Sequence, residues 1–269
     1  MSNPVKQAAR QGRNSTPVHF LVRLGYAVNG LLHALIGVIA IGVAVGGSHR
    51  EADQSGALST LASSPGGVFL LWTVFVGLTA LGLWLIVSAF LTGPADRKKR
   101  AGHIVSELGK GVVYLAVAAT TFTYARGGSS NSARGSRKLS ASLLAAPGGV
   151  FIVVLIGAVI FGIGVYFIVK GISKRFTRDL SLPAGSAGTA TVVVGVVGYV
   201  AKGVVLCTVG VLFVIAAVTV DPHKSSGLDG GLKALAALPY GTVILVSVGI
   251  GLIAYALYSF VRARFAHLG

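Results

Sequence analysis

Seven residues of this chain place polar or ionisable groups inside long apolar stretches: Tyr26, Asn29, His33, Glu107, Lys110, Tyr199 and Lys202. A charge within a bilayer costs about 2.5–3.5 kcal/mol on insertion scales, so such a residue marks a candidate site. Glu107 and Lys110 are three positions apart, within pairing reach on one helix face. Lys202 falls at the same depth of a later apolar segment. If these segments face a common axis, the set forms a net positive ring of one Glu and two Lys. Tyr26, Tyr199 and Asn29 then supply hydrogen-bonding groups, a chemistry suited to an anion. The structural alternative assigns Glu107 to either lysine and lets the Lys stems reach the nearby membrane edge. Asn29 and the tyrosines then bind helix to helix, and His33 is held by a backbone carbonyl.

Catalytic sets do not emerge from the sequence. It offers no paired carboxylates, metal-ligand spacing, phosphate loop or Ser/His/Asp arrangement. Only seven residues are acidic, and Glu107 alone of them falls in an apolar segment. The expectation is a protein without enzymatic activity, cofactor or metal. The single cysteine, Cys207, lies in an apolar run and reads as a small filler of space.

The elements that must position these residues are membrane spans. The chain has 269 residues, 54% hydrophobic and only 11% charged, against roughly 25% charged in soluble domains. Runs of about 20 apolar residues can cross a bilayer as helices. Continuous rather than alternating hydrophobicity selects helices over a barrel. Six spans are expected at 24–46, 67–92, 104–125, 149–172, 191–219 and 240–261. The net charge of +16 is concentrated at span ends, which points to anionic headgroups and away from nucleic acid.

The chain repeats itself. Gly25-Tyr26-Ala27-Val28-Asn29-Gly30, Ser106-Glu107-Leu108-Gly109-Lys110-Gly111 and Gly198-Tyr199-Val200-Ala201-Lys202-Gly203 open the first, third and fifth spans. Pro65, Pro147 and Pro239 precede the second, fourth and sixth. Tyr26, Glu107 and Tyr199 therefore correspond, as do Asn29, Lys110 and Lys202, and His33, Tyr114 and Leu206. Gly30, Gly111 and Gly203, with Gly37, Ala118 and Gly210, complete a helical stripe suited to close approach of spans. The organisation is a basic arm over 1–23, expected to be disordered or interfacial, and two-span units over 24–100, 101–180 and 181–269. Short Leu-striped stretches before each Pro are expected as interfacial helices, with each Pro in the first turn of the following span. Trp84, Tyr166 and Tyr258 correspond in the even spans, before Ser88, Lys170 and Arg262, and read as anchors at the membrane surface. The fold expected is an all-α membrane protein of six transmembrane helices in three parallel units, pseudo-threefold about the membrane normal.

Basic residues in the N-terminal arm, at Arg97–Arg100, at Lys174, Arg175 and Arg178 and at Arg262 and Arg264 set both termini on the cytoplasmic side. The loop with Arg126, Arg134, Arg137 and Lys138 dissents, because it falls on the opposite side with no acid among its cations.

The Gly-Tyr-x-x-x-Gly opening and the Pro-x-Gly start of each second span, in three tandem copies, resemble the bacterial family catalogued as domain of unknown function 1206. The second copy departs from the pattern at Ser106-Glu107, and Leu206 replaces an aromatic residue or His in the third. The resemblance covers nearly the whole chain and implies an integral membrane protein, mostly actinobacterial, without implying an activity.

Two functions follow as expectations, both in a bacterial plasma membrane. One is a non-enzymatic scaffold that binds lipid, a partner membrane protein or further copies of itself. The other is a small channel or carrier for an anionic solute, with Glu107, Lys110 and Lys202 at a constriction between the first, third and fifth spans.

Overall fold

The computed structural model describes residues 16–46, 51–91, 97–180 and 185–265. Nine α-helices occur among them. They are α1 (Thr16–Ala44), α2 (Gln54–Ala62), α3 (Gly67–Leu91), α4 (Arg97–Ala125), α5 (Ser132–Leu144), α6 (Gly149–Ile172), α7 (Ser186–Val218), α8 (Gly227–Ala236) and α9 (Gly241–Phe265). Short 3₁₀ turns at Arg175–Asp179 and Pro222–Lys224 flank α7.

Six helices, α1, α3, α4, α6, α7 and α9, are long and apolar enough to cross a membrane. They match the six expected spans, and several extend further at the end nearer the termini. The helix of the first span begins at Thr16, so residues 16–23 of the basic arm are helical. Residues 1–15 lie outside the described part. The third span begins at Arg97, which carries its basic run into the helix.

Each Pro stands one step further out than expected. The helices start two residues after it, at Gly67, Gly149 and Gly241. The intervening residue is left-handed, with φ of 74° at Gly66, 73° at Gly148 and 62° at Tyr240. The glycine that follows has no room for a side chain: a Cβ there would fall 1.7–1.8 Å from the carbonyl oxygen of Leu61, Leu143 or Ala236. The Pro-x-Gly signature is thus a tight corner between short helix and span.

The most extensive contacts do not join the two spans of a unit. They join the second span of one unit to the first of the next: α3 with α4, α6 with α7, and α9 with α1. Glycine explains the choice. A Cβ on Gly30, Gly111 or Gly203 would meet the carbonyl oxygen of Ala256, Gly82 or Gly164, and one on Gly37 or Gly210 that of Gly249 or Gly157, all at 2.6–3.1 Å. Backbones this close gain dispersion and weak Cα–H···O contacts, which is how helices associate where lipid removes the hydrophobic drive. In the α3–α4 pair the second of these levels is taken by Phe75 and Ala118, and a cluster of Trp72, Phe75 and Phe122 lies nearby, with ring centroids 5.1–5.8 Å apart.

Among the described residues the spans follow one another in the order α6, α7, α9, α1, α3, α4, while α4 and α6 scarcely touch. The bundle is an arc with a seam inside its middle unit. Only 17% of the most apolar stretch of α4 and 17% of that of α6 is buried, against 50% for α9. The interior facing the arc is filled by apolar side chains, including Ile36, Leu71, Val205, Leu232 and Leu245.

The three short helices stand before their spans as expected, but they differ. In α2, residues Ser55 to Leu58 are buried, and in α8 Leu232 is fully enclosed. Both dip into the core. In α5 the corresponding position is Ser140, and the helix keeps an exposed, basic face.

Candidate functional site

The seven polar residues separate into two groups. On α4, Lys110 Nζ donates to Glu107 Oε1 at 2.7 Å, with the Lys110 side chain 55% exposed. The pair closes within a single turn, as its i, i+3 spacing allows. Lys202 does not join it in an ion pair. The Lys202 ammonium lies 4.3 Å from the centre of the Tyr255 ring and 5.1 Å from that of Phe167. It therefore faces α9 and α6, where ring faces supply the partial negative charge an ammonium requires.

Around Lys202 the remaining residues assemble on the closed side of the arc. Tyr199, almost fully buried, stacks on Phe176 at 5.1 Å and meets Tyr255 and Tyr258 at 5.3 Å each. Arg262 donates to the Tyr199 hydroxyl at 3.5 Å and lies 4.4 Å from the centre of the Tyr26 ring. Asn29 Nδ2 donates to Ser259 Oγ at 3.3 Å. His33 Nδ1 is 2.8 Å from the Asn29 carbonyl oxygen, so this nitrogen carries the proton, and its ring lies 4.7 Å from Tyr255. Lys170 adds a cation 5.6 Å from the Tyr199 ring centre. The result is an aromatic knot threaded by three cations and joining α1, α6, α7 and α9.

Sequence reasoning missed Tyr255, Phe167 and Phe176 in this knot and misread Tyr258. Tyr258 is buried and is not a surface anchor, whereas the corresponding Tyr166 is exposed. Tyr255 has no aromatic counterpart in the other units. The signal was present as two tyrosines three apart on one face of α9, with Arg262 one turn beyond. Only the proximity of α1 and α7 makes that face interior. The glycines proposed for helix approach, Gly30, Gly37, Gly111, Gly203 and Gly210, all lie at span–span contacts.

On the face opposite the termini, the loops are tied together by hydrogen bonds. Ala52 N–H donates to Asp229 Oδ1 at 3.0 Å, linking the start of α2 to α8. Lys233 Nζ donates to Asp229 Oδ2 at 2.6 Å. Asn131 donates to Glu51, and Ser132 N–H to Ser55 Oγ at 2.8 Å, linking α2 to α5. Asp53 caps α2 by accepting from Gly56 N–H at 3.1 Å, and its second oxygen has no hydrogen-bond partner among the described residues. Burial raises the Asp53 carboxyl from 3.8 to about 6, opposed by the Gly56 bond and reinforced by the nearby Glu51 and Asp229. Among the described residues no group of three or more His, Cys, Asp or Glu could hold a metal ion.

The model of the family described as Domain of Unknown Function (DUF1206) matches this chain three times, at residues 24–92, 106–174 and 197–266. The chain belongs to that family. Each match takes in most of one pair of spans: α1 and α3, α4 and α6, α7 and α9. An uncharacterized protein of Bacillus subtilis (strain 168), YxxB, is 29% identical over 252 residues, covering 91% of this chain and 90% of its own. No solved structure matches. This DUF1206 protein is a multi-pass membrane protein by its six apolar helices.

Proposed function

We propose that this protein is a non-enzymatic membrane scaffold whose open side, between α4 and α6, holds lipid or an apolar partner helix. The observation that supports this reading is the seam. The other neighbouring spans of the arc make direct contact, whereas α4 and α6 scarcely meet and leave most of their apolar surface uncovered. Val105, Val112 and Val113 on α4 and Phe151, Leu155 and Val159 on α6 are all exposed. The aromatic knot fixes the opposite side, so the arc offers a rigid back and an open front. The basic segments on the terminal face suit anionic headgroups of a bacterial plasma membrane, with both termini cytoplasmic.

The test is photo-crosslinking in native membranes. A photoreactive residue at position 112 or 155 should yield a discrete, saturable adduct. The same probe at the exposed positions of Val38 on α1 or Ile250 on α9 should yield only diffuse bulk-lipid labelling. Indistinguishable labelling at all four positions refutes the reading.

A second reading, anion passage, draws on Lys202, which has no carboxylate partner among the described residues. Anion flux in liposomes that requires both Lys110 and Lys202 would establish it. Flux that persists in the Lys110→Ala/Lys202→Ala variant removes those residues from the path.

A further inference from the structure

A polar cavity of about 490 Å³ opens on the face opposite the termini, between α2, α5 and the segment that leaves α4. Its volume is within the range of small-molecule sites, roughly 300–1,000 Å³. One wall carries Arg134 and Lys138, four apart on α5 and so on one face of that helix. The facing wall carries the exposed Ser59 on α2, while Ser55, four residues earlier, is buried and holds Ser132 with its hydroxyl. Ser129, Ser130 and Tyr124 add oxygens at the α4 end, and the Tyr124 hydroxyl donates to the Ser130 carbonyl at 2.7 Å.

The electrostatics are one-sided. Glu51 is the only carboxylate in the lining, and it accepts from Asn131. The ion pairs among the described residues are Glu107–Lys110 and Asp229–Lys233, so neither Arg134 nor Lys138 is neutralised by a carboxylate. These cations belong to the loop that dissents from the positive-inside pattern. A basic pair that the positive-inside reading places on the disfavoured side, facing Ser59 across a cavity, calls for a reason beyond topology.

The geometry points to an oxyanion site: the pocket binds a phosphate or phosphodiester group, with Arg134 and Lys138 supplying charge and Ser59 supplying an O–H donor. Arg presents a planar fork to phosphate oxygens and Lys a point charge, the combination that phosphate recognition uses. A phospholipid headgroup and a free phosphate share this chemistry. The pocket is distinct from the α4–α6 seam, and the inference stands or falls without it.

The experiment uses the full-length protein, with two probes. Phosphatidylglycerol retained after purification is counted by native mass spectrometry, against phosphatidylcholine, and inorganic phosphate is titrated calorimetrically into delipidated protein. R134Q/K138Q should weaken binding by roughly tenfold or more, the loss of charge-assisted hydrogen bonds. The equal charge change in R126Q/K224Q, outside the pocket, should leave it within about twofold, the scale of a screened remote charge. Both pairs are exposed residues, and matching thermal melts establish that the variants fold. Glu51→Gln, which removes the lining's carboxylate, should tighten binding. Retained phosphatidylglycerol that phosphate does not displace identifies a lipid headgroup. Phosphate binding with no lipid preference identifies a free solute. Failure of both probes to bind, or equal binding by wild type and R134Q/K138Q, overturns the site, whatever the crosslinking at positions 112 and 155 shows.

Discussion

The closed side of the arc and its seam are built from the same repeat, yet one is sealed and the other open. Tyr199 and Glu107 occupy equivalent positions in α7 and α4. Tyr199 is held by Phe176, Tyr255 and Tyr258, while Glu107 meets Lys110 of its own helix. Glycine pairing is common to both regions: Gly203 approaches Gly164 much as Gly111 approaches Gly82. Glycines therefore join one unit to the next throughout. The two spans of a unit differ more: α7 and α9 pack together, with Gly198 against the Tyr255 backbone and Gly251 against Ala201, whereas α4 and α6 scarcely touch.

The sharpest way to break this contrast is to remove the aromatic residue and its counterpart. Tyr199→Ala should cost about 3–5 kcal/mol, the range for deleting a buried aromatic side chain. Glu107→Ala, at the equivalent position, should cost under about 1 kcal/mol, because its partner is half exposed and an exposed ion pair contributes little. Thermal denaturation in detergent compares them, and equal losses would erase the distinction between sealed and open sides.

The glycine contacts give the next effect. A Cβ on Gly203 would lie 2.6 Å from the Gly164 carbonyl oxygen, whereas one on Gly109 or Gly162 meets nothing within 4 Å. Gly203→Ala should destabilise by about 1–3 kcal/mol through overpacking. Gly109→Ala should be neutral or stabilise by up to about 1 kcal/mol, since alanine is the better helix former. Melts of the two variants check the order.

On the loop face, Asp53 sharpens the comparison between the buried α2 and the exposed α5. Its folded carboxyl is raised from 3.8 to about 6, so the folded state holds the proton more tightly than the unfolded chain. The favourable contribution of the protonated acid is fully present below about pH 4 and is lost as pH rises through about 6. Asn keeps the capping oxygen without the charge. Asp53→Asn should flatten this pH slope and gain about 1–2 kcal/mol near neutrality, the scale of a discounted two-unit shift. Urea titrations between pH 4 and 8 would show it. An unchanged slope assigns the pH dependence elsewhere.

The smallest effect concerns the corner before α9. Tyr240 is exposed and left-handed where the other two units place Gly66 and Gly148. Tyr240→Gly should stabilise by about 1 kcal/mol by relieving that strain. Gly148→Tyr should lose a similar amount, and melts of the two variants read both.

The spans, units and glycine stripe could be read from the sequence because each rests on a local rule. A run of about 20 apolar residues in lipid satisfies its backbone only as a helix. Three copies of a small-residue stripe, Gly30 and Gly37, Gly111 and Ala118, and Gly203 and Gly210, at matching depth need close neighbours. The Glu107–Lys110 pair was legible for the same reason, since three residues on one helix fix its geometry. The partner of Lys202 was not. A lysine between two helices can turn to a carboxylate or to aromatic faces, and here the choice rests on Tyr255 and Phe167, far along the chain and in other spans. Tyr258 was misread because Trp84, Tyr166 and Tyr258 are equivalent in sequence and differ only in what lies across from them.

Sequence alone determined the helical state, the number of spans, the threefold repetition and the residues able to carry charge in the membrane, all consequences of local composition and period. Tertiary structure alone decided which spans touch, that the middle unit holds the seam, that α2 and α8 sink inward while α5 stays out, and that Arg134 and Lys138 face Ser59 across a cavity. Those features depend on the fit of surfaces separated by tens of residues. Between repeats so alike, small differences in side-chain volume at the contacts decide which faces close.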